Sequence, residues 1–219
     1  MRKQAVFVLG AGGHGKVIID ALLAAGGVDI RGVLDDDSSK VGGDVLGFPV
    51  LGTTMELVDF GWKHKVTKVV LAIGDNYVRH KKFEQAKRAG FSIMGLTHPS
   101  ACVSRFVTRG AGVVILAGAV VNPGSTIEDN VCVNTSASVD HDNLLLANCH
   151  IFPNATLAGA VTVGQFTYIG SGAVIIPSCV VGNYAYVGAG AVVVRDVEDG
   201  VKVAGVPARK IGVQPMRPA

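Results

Sequence analysis

The feature that most limits what this chain can become is a six-residue period in its C-terminal half. Every sixth position from 115 to 193 (Ile115, Val121, Ile127, Val133, Val139, Leu145, Ile151, Leu157, Val163, Ile169, Ile175, Val181, Val187 and Val193) holds Val, Ile or Leu. Two positions before each stands a mostly small residue, such as Ala119, Ser125, Ala137, Ala155, Thr167, Ala173, Ala185 and Ala191, and glycine dominates the corners between. A helix repeats every 3.6 residues and a flat strand every 2, so neither accommodates an ungapped period of six. Even if about a third of all residues were aliphatic, chance would not fill fourteen consecutive positions. The pattern requires a β-solenoid, in which each hexad forms one side of a coil.

The first ninety or so residues obey a different rule. Short apolar runs at Ala5–Leu9, Ile30–Leu34, Lys68–Ile73 and Phe91–Leu96 read as strands. They alternate with helical stretches at Lys16–Ala25, Met55–Phe60 and Tyr77–Ala89, the first followed by Gly26-Gly27 and the last by Gly90. That alternation is the signature of βαβ units on a parallel sheet. The expected organisation is therefore α/β followed by all-β: a small Rossmann-like domain over 1–97, then a parallel β-helix with a C-terminal tail over 98–219.

Composition narrows the partners. Hydrophobic residues make up 49% and charged ones 17%, apolar enough to suggest buried subunit contacts. A net charge of +3 is too small and too dispersed for nucleic acid, though it suits a phosphorylated ligand. Without a membrane-length apolar run or a secretion-type start, a cytoplasmic location is expected. The four cysteines, Cys102, Cys132, Cys149 and Cys179, have no metal-ligand spacing, so inert thiols and no bound metal are expected.

Gly10-Ala11-Gly12-Gly13-His14-Gly15 matches G-x-G-x-x-G between an expected strand and helix, where backbone amides at a helix N-terminus hold phosphate. Asp35 and Asp36 follow about twenty residues later, where a carboxylate accepts hydrogen bonds from ribose hydroxyls. NAD would fit both features, but only about half a dinucleotide-binding domain precedes the solenoid, which favours a mononucleotide or nucleotide sugar. The run through Lys16 nearly spells a P-loop, yet Val17 stands where magnesium needs Ser or Thr. A tight strand-to-helix turn that binds nothing is the alternative reading of these glycines. The backbone at Gly12, Gly13 and Gly15 is a better candidate contact than the side chains of His14 and Lys16.

The repeats resemble those of hexapeptide acyltransferases, left-handed parallel β-helices with three hexads, about eighteen residues, per coil. The resemblance covers residues 103–210, and Val203-Ala204-Gly205-Val206-Pro207-Ala208-Arg209-Lys210-Ile211 is similar to the segment with which such enzymes close over the adenine end of CoA. Four further stretches are the glycine loop, Leu34-Asp35-Asp36-Asp37, Ala72-Ile73-Gly74-Asp75-Asn76 and Ser138-Val139-Asp140-His141-Asp142. With these the chain resembles the sugar N-acetyltransferases that act on perosamine and on bacillosamine precursors. The resemblance implies acetyl-CoA as cosubstrate and a homotrimer with active sites in the grooves between neighbouring β-helices. It also implies a nucleotide-linked 4-amino-4,6-dideoxy sugar as acceptor, GDP-perosamine foremost, with a product that feeds lipopolysaccharide O-antigen.

The residues then take expected roles. Acetyl transfer to an amine needs a proton acceptor, and His141 is the candidate, with Asp142 preferred over Asp140 to fix its tautomer. One coil further on, Gly159 would leave room for the thioester and offer its N–H to the oxyanion. The resemblance adds His150, Ser171, Ala189 and Arg209 as acetyl-CoA contacts, the second and third further up the same groove. Gly12, Gly13, His14, Gly15, Asp35, Asp36 and Gly74 would line the nucleotide-sugar site. Arg195, Lys202, Arg209 and Lys210 form a sparse basic cluster suited to coenzyme phosphates. Rival readings are a UDP-linked acceptor, O-acetylation of a sialic acid, a non-enzymatic nucleotide-sugar-binding trimer, and an NAD-linked enzyme.

Overall fold

The computed structural model describes residues 3–214. The chain divides into two compact units, one ending at Leu96 and the other beginning at Thr97.

The first unit is built on β1 (Gln4–Leu9), whose Val6, Phe7, Val8 and Leu9 are almost wholly buried, as befits a central strand covered on both faces. It is followed by α1 (Gly13–Ala25), β2 (Val28–Leu34), β3 (Asp44–Val45), β4 (Phe48–Gly52), α2 (Leu57–His64), β5 (Lys68–Leu71), α3 (Asn76–Arg88) and β6 (Ser92–Ile93). The sheet order is β3-β4-β2-β1-β5-β6, parallel except for the β3–β4 hairpin. The chain builds outward from β1 through β2 and β4, then returns to add β5 on the other side. The order thus reverses between β1 and β5, the place where such sheets open a ligand crevice at their carboxyl ends.

Element bounds differ from the sequence expectation for physical reasons. The first helix begins at Gly13 rather than Lys16, so the glycine loop is itself the helix N-terminus. The second starts later, after a 3₁₀ turn over Thr54–Glu56 that the Thr53/Glu56 capping box organises. Strand β5 ends at Leu71 because residues 72–75 leave the sheet to reach the N-cap of α3, where Asp75 accepts the amides of Tyr77 and Val78 at 2.9 Å. The Phe91–Leu96 run pairs with β5 only over Ser92–Ile93. The β3–β4 hairpin had no sequence counterpart, since its turn is Leu46-Gly47 with φ of 51° and 82°, and leucine is not a turn signal.

The second unit is a left-handed parallel β-helix. Two-residue strands pair with partners eighteen residues on, so Val121, Val139, Leu157, Ile175 and Val193 stack in register, as do Ile127, Leu145, Val163 and Val181, and Ile115, Val133, Ile151, Ile169 and Val187. These fourteen side chains are 0–1% exposed and form one continuous core. Val201–Ala204 and the antiparallel Arg209–Val213 cap the last coil on one face.

Glycine does not dominate the corners. Of the fourteen left-handed corner positions from 112 to 190, nine carry side chains, among them Asn130, Asp142, Ala160, Phe166 and Tyr184. A left-handed non-glycine residue costs roughly 1–2 kcal/mol. Here the stack over-determines each corner: Asp142 donates its amide to the Pro123 carbonyl at 3.1 Å and Ala160 to that of His141 at 2.9 Å.

Candidate active site

The glycine loop reaches its shape through close approach. A Cβ on Gly10, which sits at φ +120°, would lie 2.5 Å from the Ala72 carbonyl oxygen, and one on Gly15 would collide with the carbonyl of Gly10. These two glycines therefore build the turn. Gly12 and Gly13 face open space, so their bare backbone is accessible at the start of α1, and Gly74 is open in the same way.

The loop side chains do less than their position suggested. His14 is largely desolvated and has Arg79 nearby, which together lower its pKa to about 4. At neutral pH the ring therefore carries no charge. Arg79 is 3% exposed and donates to the carbonyl of Ile73 at 3.2 Å and to Asn76 Oδ1 at 2.8 Å, bracing the turn that carries Gly74.

Asp35 and Asp36 are already engaged within the unit. Asp35 accepts the Ala11 amide at 2.6 Å and the Lys40 ammonium at 3.2 Å, so it ties the glycine loop to β2. Asp36 accepts from the Thr54 amide and hydroxyl at 3.0 and 2.6 Å and pairs with Lys82. Burial alone would raise the pKa of Asp36, but the bonds from Lys82 and Thr54 outweigh it and hold the carboxyl below its ordinary value. A cleft of about 150 Å³ lies here, lined by Gly10, Asp35, Asp36, Thr54, Ile73 and Lys82. Lys40, Thr54 and Lys82 escaped the sequence reading because nothing in their spacing ties them to Asp35 and Asp36.

In the β-helix, His141 stands at a corner with 60% of its side chain exposed. Its Nδ1 is 2.8 Å from Asp142 Oδ2. Asp140 instead accepts the His141 amide at 2.8 Å and the Asn122 side-chain amide at 2.8 Å, so it holds the main chain while Asp142 orients the ring. The bond to Asp142 and the charge of Asp140 raise the imidazole pKa above its ordinary value. Asp140 is held below the usual carboxylate range by Asn122 and the His141 amide.

Gly159 lies directly beyond, against the imidazole ring. A Cβ there would sit 2.5 Å from His141 Nε2 and 2.6 Å from Cε1, so the space a side chain would need is filled by the imidazole. Equivalent corner amides at His141, Ala147, Gln165 and Asn183 are each satisfied by a side-chain oxygen at 2.7–2.9 Å. Among the described residues the Gly159 amide has no such acceptor, and neither do the equivalent amides of Ala117, Asp129, Ser171 and Ala189, but only Gly159 has the imidazole beside it. A bare N–H beside the free nitrogen of an oriented imidazole combines a proton acceptor with an oxyanion donor.

The remaining expected contacts are dispersed within one chain. Ser171 and Ala189 stack on a different corner from His141 and Gly159, because 141, 159 and 177 form one column and 153, 171 and 189 another. They do not share one groove of a single β-helix with His141. His150 is not a surface residue: it is 2% exposed, stacked on Phe152 at 4.2 Å, with Nε2 3.1 Å from the Asn134 amide nitrogen. Arg195, Arg209 and Lys210 line one cleft of about 470 Å³ at the C-terminal end, with Asp196 and Glu198 in its wall, whereas Lys202 does not line it. All four cysteines are free, and burial with the nearby Asp196 pushes the Cys179 thiol up. Among the described residues there is no cluster of three or more His, Cys, Asp or Glu able to hold a metal, and no helix long and apolar enough to cross a membrane.

Comparison with known proteins places this arrangement. Residues 5–86 match the PglD N-terminal domain and residues 160–195 the bacterial transferase hexapeptide repeats. A parallel β-helix with an Asp-braced histidine at a bare corner, in a chain that also carries a glycine-loop unit of this type, defines an acyltransferase of the hexapeptide class. The H141N variant of perosamine N-acetyltransferase from Caulobacter crescentus, solved with CoA and GDP-perosamine, is 41% identical, with a TM-score of 0.90 over 95% of this chain and 97% of that one. This chain belongs to the hexapeptide-repeat sugar N-acetyltransferases. The acetyltransferase domain of PglB from Neisseria gonorrhoeae is 42% identical, with a TM-score of 0.89 over 95% and 100% of the two chains. UDP-N-acetylbacillosamine N-acetyltransferase of Bacillus subtilis is 35% identical over 112 residues, a match that spans about half (51%) of each protein.

Proposed function

We propose that this protein transfers the acetyl group of acetyl-CoA to the 4-amino group of a nucleotide-linked 4-amino-4,6-dideoxy sugar, GDP-perosamine foremost. The observation that carries this reading is the corner where His141, oriented by Asp142, lies against Gly159 with its unengaged amide. The Caulobacter relative was solved with CoA and GDP-perosamine, and the Neisseria domain with acetyl-CoA, which supports the same two ligands here.

In this reading the amine nitrogen attacks the thioester carbonyl while His141 Nε2 takes its proton. The carbonyl oxygen gains negative charge and is held by the Gly159 N–H. Collapse of the adduct breaks the C–S bond, and the proton on His141 passes to the departing thiolate, so amide and free CoA leave. No acyl-enzyme forms and no metal is needed. The bare amides of Gly12 and Gly13 hold the nucleotide diphosphate, while Arg195, Arg209 and Lys210 neutralise phosphate on the coenzyme. His150 would act from within its packed layer.

Ser171 and Ala189 contact coenzyme in this scheme only if a second β-helix brings their corner to the His141 corner of its neighbour. The assembly in this reading is the homotrimer that the sequence resemblance implies, with sites between subunits, placed in the cytoplasm with its substrates.

The test is acetyl-CoA-dependent CoA release with GDP- and UDP-linked 4-amino sugars, free amino sugars and sialic acid. Turnover with one nucleotide-linked amine establishes the acceptor; the Bacillus relative makes a UDP sugar the second candidate. Tight nucleotide-sugar binding without any turnover would overturn the enzymatic reading. His141→Ala at unchanged kcat/KM would remove the base from the scheme.

A further inference from the structure

The inner positions two residues before each core aliphatic hold small or apolar residues in most coils, yet position 143 holds asparagine, 1% exposed. Its Nδ2 donates to the carbonyl of Asp140 at 2.8 Å, to that of His141 at 3.2 Å and to that of Ala158 at 2.9 Å. The three acceptors belong to the two corners that carry the His141 ring and Gly159. Its Oδ1 is equally buried.

Two other polar residues at this inner position show what ordinary coil-to-coil bonding looks like. Ser125 donates to the Asp140 carbonyl at 2.8 Å and Thr167 to the Gly182 carbonyl at 2.6 Å, in each case fifteen residues ahead. Each also accepts an amide eighteen residues ahead, from Asn143 at 3.2 Å and from Ala185 at 3.0 Å. Asn143 makes the same fifteen-residue bond, to Ala158. What it adds is the reach back to its own corner, to the carbonyls of Asp140 and of His141 itself.

We infer that Asn143 is a positioning residue for acetyl transfer: it clamps the His141 corner to the Gly159 corner so that the imidazole and the Gly159 amide keep one spacing. This rests on the reading of His141 as the base. A hydroxyl at 143 can replace the Ala158 bond, as Ser125 and Thr167 demonstrate, but it cannot replace the backward clamp. The fold should also survive that change, because the Asp140 carbonyl keeps Ser125 and the His141 carbonyl keeps the Ala160 amide at 2.9 Å.

The experiment compares Asn143→Ser, Asn143→Ala and Thr167→Ala with the unaltered protein in steady-state kinetics, pH profiles and thermal melts. Positional slack of an ångström costs on the order of tenfold to a hundredfold in rate. Asn143→Ser and Asn143→Ala should therefore lose at least about tenfold in kcat, with both KM values within about twofold. The acid limb of their pH profile should slide toward that of an ordinary histidine as the His141–Asp142 pair loosens. Thr167→Ala, which removes the same kind of coil tether away from this corner, should melt earlier at full kcat. A wild-type kcat and pH profile in Asn143→Ser would overturn the inference, as would an equal loss of rate in Thr167→Ala. His141→Ala separates the two readings: slow turnover there with normal Asn143→Ser removes the clamp alone, and full turnover there removes the base and the clamp together.

Discussion

Adding one methyl group at Gly159 gives a direct test of the corner geometry. In Gly159→Ala the new Cβ would stand 2.5 Å from His141 Nε2 and 2.6 Å from Cε1. Ordinary contact begins near about 3.5 Å, so the ring must retreat by about 1 Å. The backbone at 159 lies outside the left-handed region, so alanine itself is not strained there. His141 is 60% exposed and can swing into water without opening a cavity, so the melting temperature should move by no more than about 2 °C. A displacement of that size in a reacting group costs about a hundredfold, or about 2.7 kcal/mol in the barrier. The assay is CoA release at saturating nucleotide sugar, for Gly159→Ala, His141→Ala and the double variant. If the methyl acts by moving the ring, it costs nothing more once the ring is gone, and the double variant equals His141→Ala. Wild-type kcat in Gly159→Ala would refute the reasoning. A full further loss in the double variant would show that the methyl blocks the acetyl group or the amide instead.

Asp142 and Asp140 raise the His141 pKa, so under the proposed base role kcat/KM should climb with pH through a value above the ordinary histidine range near about 6.5. Asp142→Asn should move that limb to lower pH and reduce the plateau; an unmoved limb would assign it to another group. In the glycine loop, Gly15→Ala forces a side chain into the Gly10 carbonyl and should cost about 1–3 kcal/mol in urea unfolding, whereas Gly12→Ala meets nothing, so it should leave stability intact and weaken nucleotide-sugar binding by calorimetry. Arg209→Ala should raise the KM for acetyl-CoA several-fold with kcat unchanged, and added salt should matter less to the variant than to the parent.

The period of six and the change of period near residue 100 were legible in the sequence because each coil of a solenoid contacts only its neighbours, so a one-dimensional pattern carries the core. The same pattern placed His141 just outside that core and Gly159 one coil above it. The glycine loop was legible as a strand-to-helix turn, since its requirement for small residues is local. Which glycines build the turn and which face outward was not, because Gly10 and Gly15 are constrained by Ala72 and by each other across the loop. Nor could the sequence tell that Asp35 and Asp36 answer to Ala11, Lys40, Thr54 and Lys82, or that His150 is buried against Phe152. The clearest division falls at the His141 corner. Sequence determined that a histidine flanked by two aspartates stands one coil, eighteen residues, before a glycine. Tertiary structure decided that the imidazole itself fills the space over Gly159 and that Asn143 ties two corners eighteen residues apart, because those distances are set by the stacking of coils and by no neighbour in the chain.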